Sequence, residues 1–299
     1  MSATVPTDCI NNLKRHVHVL ADEIGERNVR KHSALHEAAN YISNTWEAMG
    51  YSVERQSFGT KRRRCDNLEV TIRGREEPDN ILLICAHYDS AKDSPGANDA
   101  SGIATLLELS RAFQTTAPKC SVRFVALCNE KPPYAGTAKS GSWIYAHHAR
   151  QREDKIKAAI VLESLGYYNN AMGSQMHPAL MGPLYPRQAN FISMTSNLAS
   201  MPVMRSFSRL FKKHSRFNCK TMIAPNLLPW VKWSDNSPFW TNGFKAFMVS
   251  DTSLYRYPFY NSSRDTAEKI DYQCLALVTD GLMKAVTEYT ARQKQKNPA

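Results

Sequence analysis

The stretch ILLICAHYDSAKDSPGANDASG, residues Ile81 to Gly102, decides the fold. Ile81 to Ala86 is apolar without a break, as in a strand buried on both faces of a sheet. His87-Tyr88-Asp89 follows at once, and a Pro95-Gly96 turn then opens a helix-forming segment. A buried strand, a polar strand end, a tight loop and a helix are the grammar of a parallel α/β sheet. Outward from it, Val122–Cys128, Ala158–Leu162 and Phe244–Val249 are equally short and apolar. Helical segments at 101–114, 141–151, 202–213 and 271–291 separate or follow them.

Before this core, Ile10, Leu13, Val17, Leu20 and Ile24 recur at helical spacing over 8–24. A second helix covers 34–49, closed by Gly50. Tyr51–Phe58 and Asn67–Arg73 read as two strands, and Leu68, Val70 and Ile72 alternate as in a half-exposed antiparallel pair. The sequence therefore predicts one α/β domain over 1–299, a doubly wound, mostly parallel sheet with antiparallel edge strands and helices on both faces. The helical pair at 1–50 packs on it, and an insertion at 165–235 lines the cleft.

The formal net charge is +11 and the hydrophobic content 42%, so the chain can bury a core and is not disordered. No apolar run approaches the roughly 20 residues of a membrane span. The polar start and the odd count of 7 cysteines, with no CxxC pair, point to a cytoplasmic, reducing setting. The basic runs Lys61–Arg64 and Arg292–Lys296 lack interleaved aromatics, so they read as a solvated hairpin tip and a frayed end, and no nucleic-acid partner is expected. His16, His18, His32 and His36 read as surface groups, and Asp265-Thr266 as a helix start.

Ligands of open α/β sheets sit at the carboxyl ends of the strands. Those ends carry His87, Glu130, Glu163 and Asp251, with Asp99 in the glycine-rich loop. His87, Asp99 and Glu163 offer one imidazole and two carboxylates, the donor set of a catalytic zinc, and Glu130 is available as a general base. No GxGxxG, GxxxxGK[ST] or GxSxG supports nucleotide or serine-hydrolase chemistry.

AHYDS…PGANDASG, RFVALCNEKPPY, VLESLGYY, SDNSPFW and YNSSRDTAEKID together resemble the co-catalytic zinc aminopeptidases of metallopeptidase family twenty-eight, relatives of glutamate carboxypeptidase and glutaminyl cyclase. The resemblance covers nearly the whole chain and implies the zinc-exopeptidase fold, a phosphorylase/hydrolase-like sandwich. It implies two zinc ions bridged by Asp99, with His87 and Glu163 on one of them and Glu130 as base. It also implies a cis peptide bond at Asp99–Ala100. Trp233, Asn236, Phe239, Trp240 and Phe259 are candidate pocket residues.

The chain departs from the pattern at Asn236, at Phe259 and in a shorter loop after Asp99, and above all at two metal-ligand positions. The family's second glutamate is Lys131 and its final histidine is Asn261; no His follows His214, so no shift of alignment restores that ligand. A Glu-to-Lys exchange changes the local charge by two, and unit charges ~4 Å apart interact by roughly 4 kcal/mol at an effective dielectric of 20. The expectation is at most one zinc, with Lys131 near the second metal position and paired with Asp99 or Glu130. Glutaminyl cyclase chemistry is disfavoured, since it uses the positions of Asp99, Lys131 and Asn261. Three readings follow: a one-metal exopeptidase acting on peptides or small amino-acid derivatives, a pseudopeptidase that keeps the cleft for binding, and a structural or nucleic-acid role.

Overall fold

The computed structural model describes residues 7–60, 63–177, 186–223 and 235–292. The elements run α1 (Thr7–His18), α2 (His32–Ala48), β1 (Glu54–Thr60), β2 (Arg63–Ile72), β3 (Glu77–His87), α3 (Ala97–Ala112), β4 (Cys120–Leu127), α4 (Gly141–Gln151) and β5 (Lys155–Leu162). Then come β6 (Phe191–Ser196), α5 (Met201–His214), β7 (Asn218–Ile223), α6 (Ser237–Thr241), β8 (Ala246–Ser250) and α7 (Tyr272–Ala291). The strands form one mixed sheet in the order β1-β2-β4-β3-β5-β8-β6-β7. The central pairs β4/β3, β3/β5 and β5/β8 are parallel, as their unbroken apolar runs predict. β1/β2, β2/β4 and β8/β6 are antiparallel.

Strand periodicity divides the core. Leu82, Ile84 and Ala86 of β3, with Ile160 and Leu162 of β5, face the larger cluster under α1, α2, α3, α5 and α7. Leu83, Cys85, Ala159 and Val161 face the smaller cluster with Tyr145 of α4 and Phe239 of α6. Successive residues point to opposite faces, so helices on both sides are required to bury them. No helix among the described residues is long and apolar enough to cross a membrane.

Four expectations change. The first helix stops at His18 and continues as a π turn over Val19–Glu23. β2 is buried on both faces rather than one, because α4 covers its polar side: Asn67 Nδ2 donates to Gly141 O (2.9 Å) and Tyr145 OH to Glu69 Oε2 (2.6 Å). Gly141 is obligatory there, since a Cβ would come within 2.4 Å of Cys128 O. The segment 165–235, expected as an insertion, contributes β6 and β7 to the same sheet, joined by the helix α5. His16, expected at the surface, is buried between Tyr41, whose OH lies 2.6 Å from Nδ1, and Glu108, 3.6 Å from Nε2.

Candidate active site

Three adjacent parallel strands deliver the site. His87 is the last residue of β3, Glu163 follows β5, and Glu130 and Lys131 follow β4. Asp99 enters from the first turn of α3, which begins earlier than expected because Gly96 caps it in the left-handed conformation (φ 66°). A non-glycine residue resists that conformation, and a Cβ here would meet Ser90 Cβ at 2.6 Å.

His87, Asp99 and Glu163 each present a donor atom within 4.8 Å of the others, a set that could hold one metal ion. His87 Nδ1 is held 2.9 Å from Asp89 O, which turns Nε2 towards Glu163 Oε1 at 3.2 Å. Fixing one ring nitrogen so that the other faces the site is how metal-binding histidines are oriented. Asp99 Oδ2 is buried without a hydrogen-bond partner, an unmet acceptor that a cation would satisfy. The donor set therefore fits one ion.

The other half of the site is occupied differently. Lys131 is only 8% exposed, and its Nζ lies 3.0 Å from Asp99 Oδ1 and 3.8 Å from Glu163 Oε1, with the Tyr260 ring 5.9 Å away. Of the two expected partners, Asp99 and not Glu130 takes the ammonium. Burial opposes its charge, but Asp99, Tyr260 and Glu163 outweigh burial and hold the ammonium protonated. Glu163 answers in kind: burial would raise its pKa, but His87 and Lys131 bring it to about 2. Asn261 is exposed in a left-handed turn (φ 52°). Tyr260, which no sequence signal singled out, is the residue of that loop that reaches Lys131.

Glu130 follows Asn129, itself left-handed at φ 64°. Its Oε1 accepts from Ser142 N (2.5 Å) and its Oε2 from Ser142 Oγ (2.8 Å), so the start of α4 anchors it. Burial, then Asp235 and Asp89, raise its pKa above the ordinary carboxylate range, against the pull of the Ser142 bonds. Burial and Glu163 likewise bring Asp235 to about 7. Asp89 accepts from the backbone N–H of Glu130 (3.1 Å) and of Lys131 (3.0 Å), tying the loop after β4 to the one after β3.

The remaining expectations divide. Phe239 is wholly buried in the smaller core, and Trp240 packs beside it with Nε1 donating to Ala246 O (2.9 Å). Phe239 is therefore a core residue rather than a pocket wall, because the short α6 lays its apolar side against the sheet, and Trp240 is half-buried at its edge. Phe259 stacks with Arg264 (4.4 Å) and Lys269 (5.4 Å). Asn236 is buried at the start of α6, and Trp233 lies outside the described residues. The cis bond expected at Asp99–Ala100 is absent; among the described residues the cis bond is Pro132–Pro133.

Besides Tyr260, two participants were missed. Asp265, expected as a helix-start signal, is buried and accepts from Asn98 N (3.0 Å) and Tyr257 OH (2.9 Å), with burial and then Asp99 raising it to about 7. Arg27, fully buried, donates to the carbonyls of Tyr88 (2.7 Å), Leu20 (2.9 Å), Pro95 (2.5 Å) and Gly96 (2.9 Å), clamping the loop that carries Asp89 and leads to Asp99. Nothing local in Gly25-Glu-Arg27 announces this, since its acceptors are scattered backbone oxygens.

The sequence model of Peptidase family M28 matches residues 67–286. The chain belongs to Peptidase family M28. Among relatives, the uncharacterized protein YfbL of Escherichia coli K12 is 31% identical over 91% of this chain and 85% of its own length. Aminopeptidase YwaD of Bacillus subtilis is 26% identical over 75% of this chain and 43% of its own. Among solved structures, a Bacillus subtilis zinc aminopeptidase superposes with a TM-score of 0.76 at 15% identity, covering 96% of both chains. A Bacteroides thetaiotaomicron glutaminyl cyclase gives 0.68 at 17%, covering 97% of this chain and 100% of the other. At those identities the likeness is one of fold. Every element carrying the M28 site, from β3 to β8, lies within the matched span.

Proposed function

We propose that this M28 chain is an exopeptidase-type hydrolase that works with one zinc ion at most, on a peptide or small amino-acid derivative bound in the cleft. The observation that carries the reading is the Lys131–Asp99 pair at 3.0 Å beside an otherwise complete three-residue donor set. His87, Asp99 and Glu163 would hold the ion, which when bound supplies Lewis acidity and makes water easier to deprotonate. Lys131 and Asn261 replace the donors a second ion would need, and a fixed ammonium repels any second dication.

Within this reading Glu130 is the general base. A base works best with a pKa near the working pH, and burial beside Asp89 and Asp235 moves Glu130 upward from the ordinary carboxylate range. Its two bonds to Ser142 fix its position, yet each carboxylate oxygen retains a further lone pair. Lys131, after His87, helps to hold Glu163 ionised and offers a positive field for charge developing on a substrate carbonyl.

The same contact favours a second reading, a pseudopeptidase in which Lys131 takes the place of metal altogether and the cleft binds without cleaving. Metal analysis with an aminoacyl-anilide assay separates the two. Stoichiometric zinc that is lost in His87→Ala, together with release of the anilide, supports the enzyme. Metal-free protein that is inert towards aminoacyl-anilides supports the pseudopeptidase.

A further inference from the structure

Lys131 is pinned by its backbone as well as by its side chain. Its N–H donates to Asp89 Oδ2 (3.0 Å), and its carbonyl accepts from the N–H of Tyr134 (3.1 Å) and of Ala135 (3.3 Å). The loop after β4 cannot carry the side chain away without breaking these bonds. From that base the ammonium donates to Asp99 Oδ1 at 3.0 Å, its one hydrogen bond among the described residues. Glu163 Oε1, at 3.8 Å, is an ion-pair neighbour only, and the Tyr260 ring stands 5.9 Å away. An ammonium has three donors, so two remain unmet on a residue that is 8% exposed.

Unmet donors on a buried charge are costly, and a carboxylate meets them best, through charge-assisted hydrogen bonds roughly twice as strong as neutral ones. The site's own carboxylates are committed elsewhere. Asp89 accepts from the backbone of Glu130 and Lys131, Glu130 accepts from Ser142, and Asp99 and Glu163 belong to the donor set. With a divalent ion on Asp99 and Glu163, Lys131 leaves one positive charge over. A free α-ammonium on a ligand would add to that charge, whereas a carboxylate would neutralise it. Because Nζ lies within 3.8 Å of oxygens of both Asp99 and Glu163, a bond presented to the donor set brings its flanking group beside Lys131.

We infer that Lys131 is the specificity-determining residue of this cleft. It selects amides that carry a free carboxylate on the residue just beyond the scissile bond, as N-acylamino acids and the carboxyl ends of peptides do. It turns away ligands that present a free α-ammonium there. This selection rests on the proposed reading of the cleft as a binding site for a peptide or small amino-acid derivative, and names which end of the molecule enters.

The test is calorimetric titration of the zinc-loaded full chain carrying Glu130→Gln, which removes the base and keeps the ligands intact. The ligands are N-acetylalanine, with the carboxylate alone, alaninamide, with the ammonium alone, and N-acetylalaninamide, with neither. N-acetylalanine should bind about tenfold or more tightly than N-acetylalaninamide, as a hydrogen bond to a charged group contributes, and alaninamide should bind no better than the neutral compound. Adding Lys131→Gln should bring the first ratio close to one, whereas Lys131→Arg should keep it, a contrast that general loosening of the site does not produce. If Lys131→Gln fails to fold, the ratios with Lys131 in place decide. Absence of N-acetylalanine binding overturns the selection, as does a ratio that survives Lys131→Gln. Alaninamide binding as tight as that of N-acetylalanine also overturns it, and assigns the ammonium to Asp235, whose Oδ2 is buried without a hydrogen-bond partner. Hydrolysis by the chain with Glu130 intact reports separately on the exopeptidase. Carboxylate-dependent binding without hydrolysis keeps the selection and removes the enzyme; release of anilide from a free aminoacyl-anilide, with no carboxylate preference, keeps the enzyme and removes the selection.

Discussion

The two halves of the site are built from the same strand ends and differ in what they offer a cation. On one side, His87, Asp99 and Glu163 converge within 4.8 Å, with His87 oriented by Asp89. On the other, Lys131 fills the space with its own charge and Asn261 is turned to solvent. The scaffold is shared: Asp89 binds the backbone of Glu130 and Lys131 while its carbonyl orients His87. Neighbouring strand ends on one backbone thus carry a cation-accepting half and a cation-supplying one. A fold match reports the backbone and is blind to this difference.

The largest effect is expected from breaking the pair that joins the halves. Asp99→Ala leaves Lys131 buried with only the longer contact to Glu163, and should cost about 3–5 kcal/mol in urea unfolding, as loss of one partner of a buried ion pair does. An unchanged midpoint would mean that Lys131 swings out to solvent. Lys131→Glu should make the two halves alike. The variant should unfold more easily than the parent in chelator, and zinc at a hundredfold its Kd should restore about 2.7 kcal/mol, read as a thermal shift. If zinc has no effect on this variant, the donor set is not metal-competent.

The pH dependence of stability separates a further contributor. Asp265 is raised to about 7 from an ordinary value near 4, so the folded state holds its proton more tightly than the unfolded chain. Its contribution is fully present below the unfolded pKa and is lost as pH rises through about 7. Asp265→Asn keeps the acceptor oxygen used by Asn98 and Tyr257 and should flatten the decline in stability between pH 4 and 7, measured by urea titration. A decline as steep as the parent's would assign the proton elsewhere. The smallest effect is expected from Asn261→His alone, an exposed change worth less than about 0.5 kcal/mol that should leave zinc content unaltered. Combined with Lys131→Glu, it would add a second ion only if the turn at 260–262 rotates inward.

Much of the site was legible because its residues stand directly after apolar runs. His87 closes β3, Glu130 and Glu163 follow β4 and β5 within three positions, and parallel strands put such ends side by side. The unreadable parts depend on partners distant in sequence. Arg27 acts through carbonyls of residues 20, 88, 95 and 96. Asp265 reads as a cap until Asn98 and Tyr257 are found around it. Phe239 and Trp240 flank a family motif, yet which wall they form depends on how α6 lies on the sheet.

The sequence by itself determined the alternation of buried strands and helices and the three residues that converge as donors, because residue identity and local periodicity carry that information. Only the tertiary structure decided which partner Lys131 takes and that Tyr260 rather than Asn261 faces it. Those depend on side-chain direction and on contacts between segments tens to hundreds of residues apart. No local pattern encodes them, because it is the packing of the whole sheet that brings the segments together.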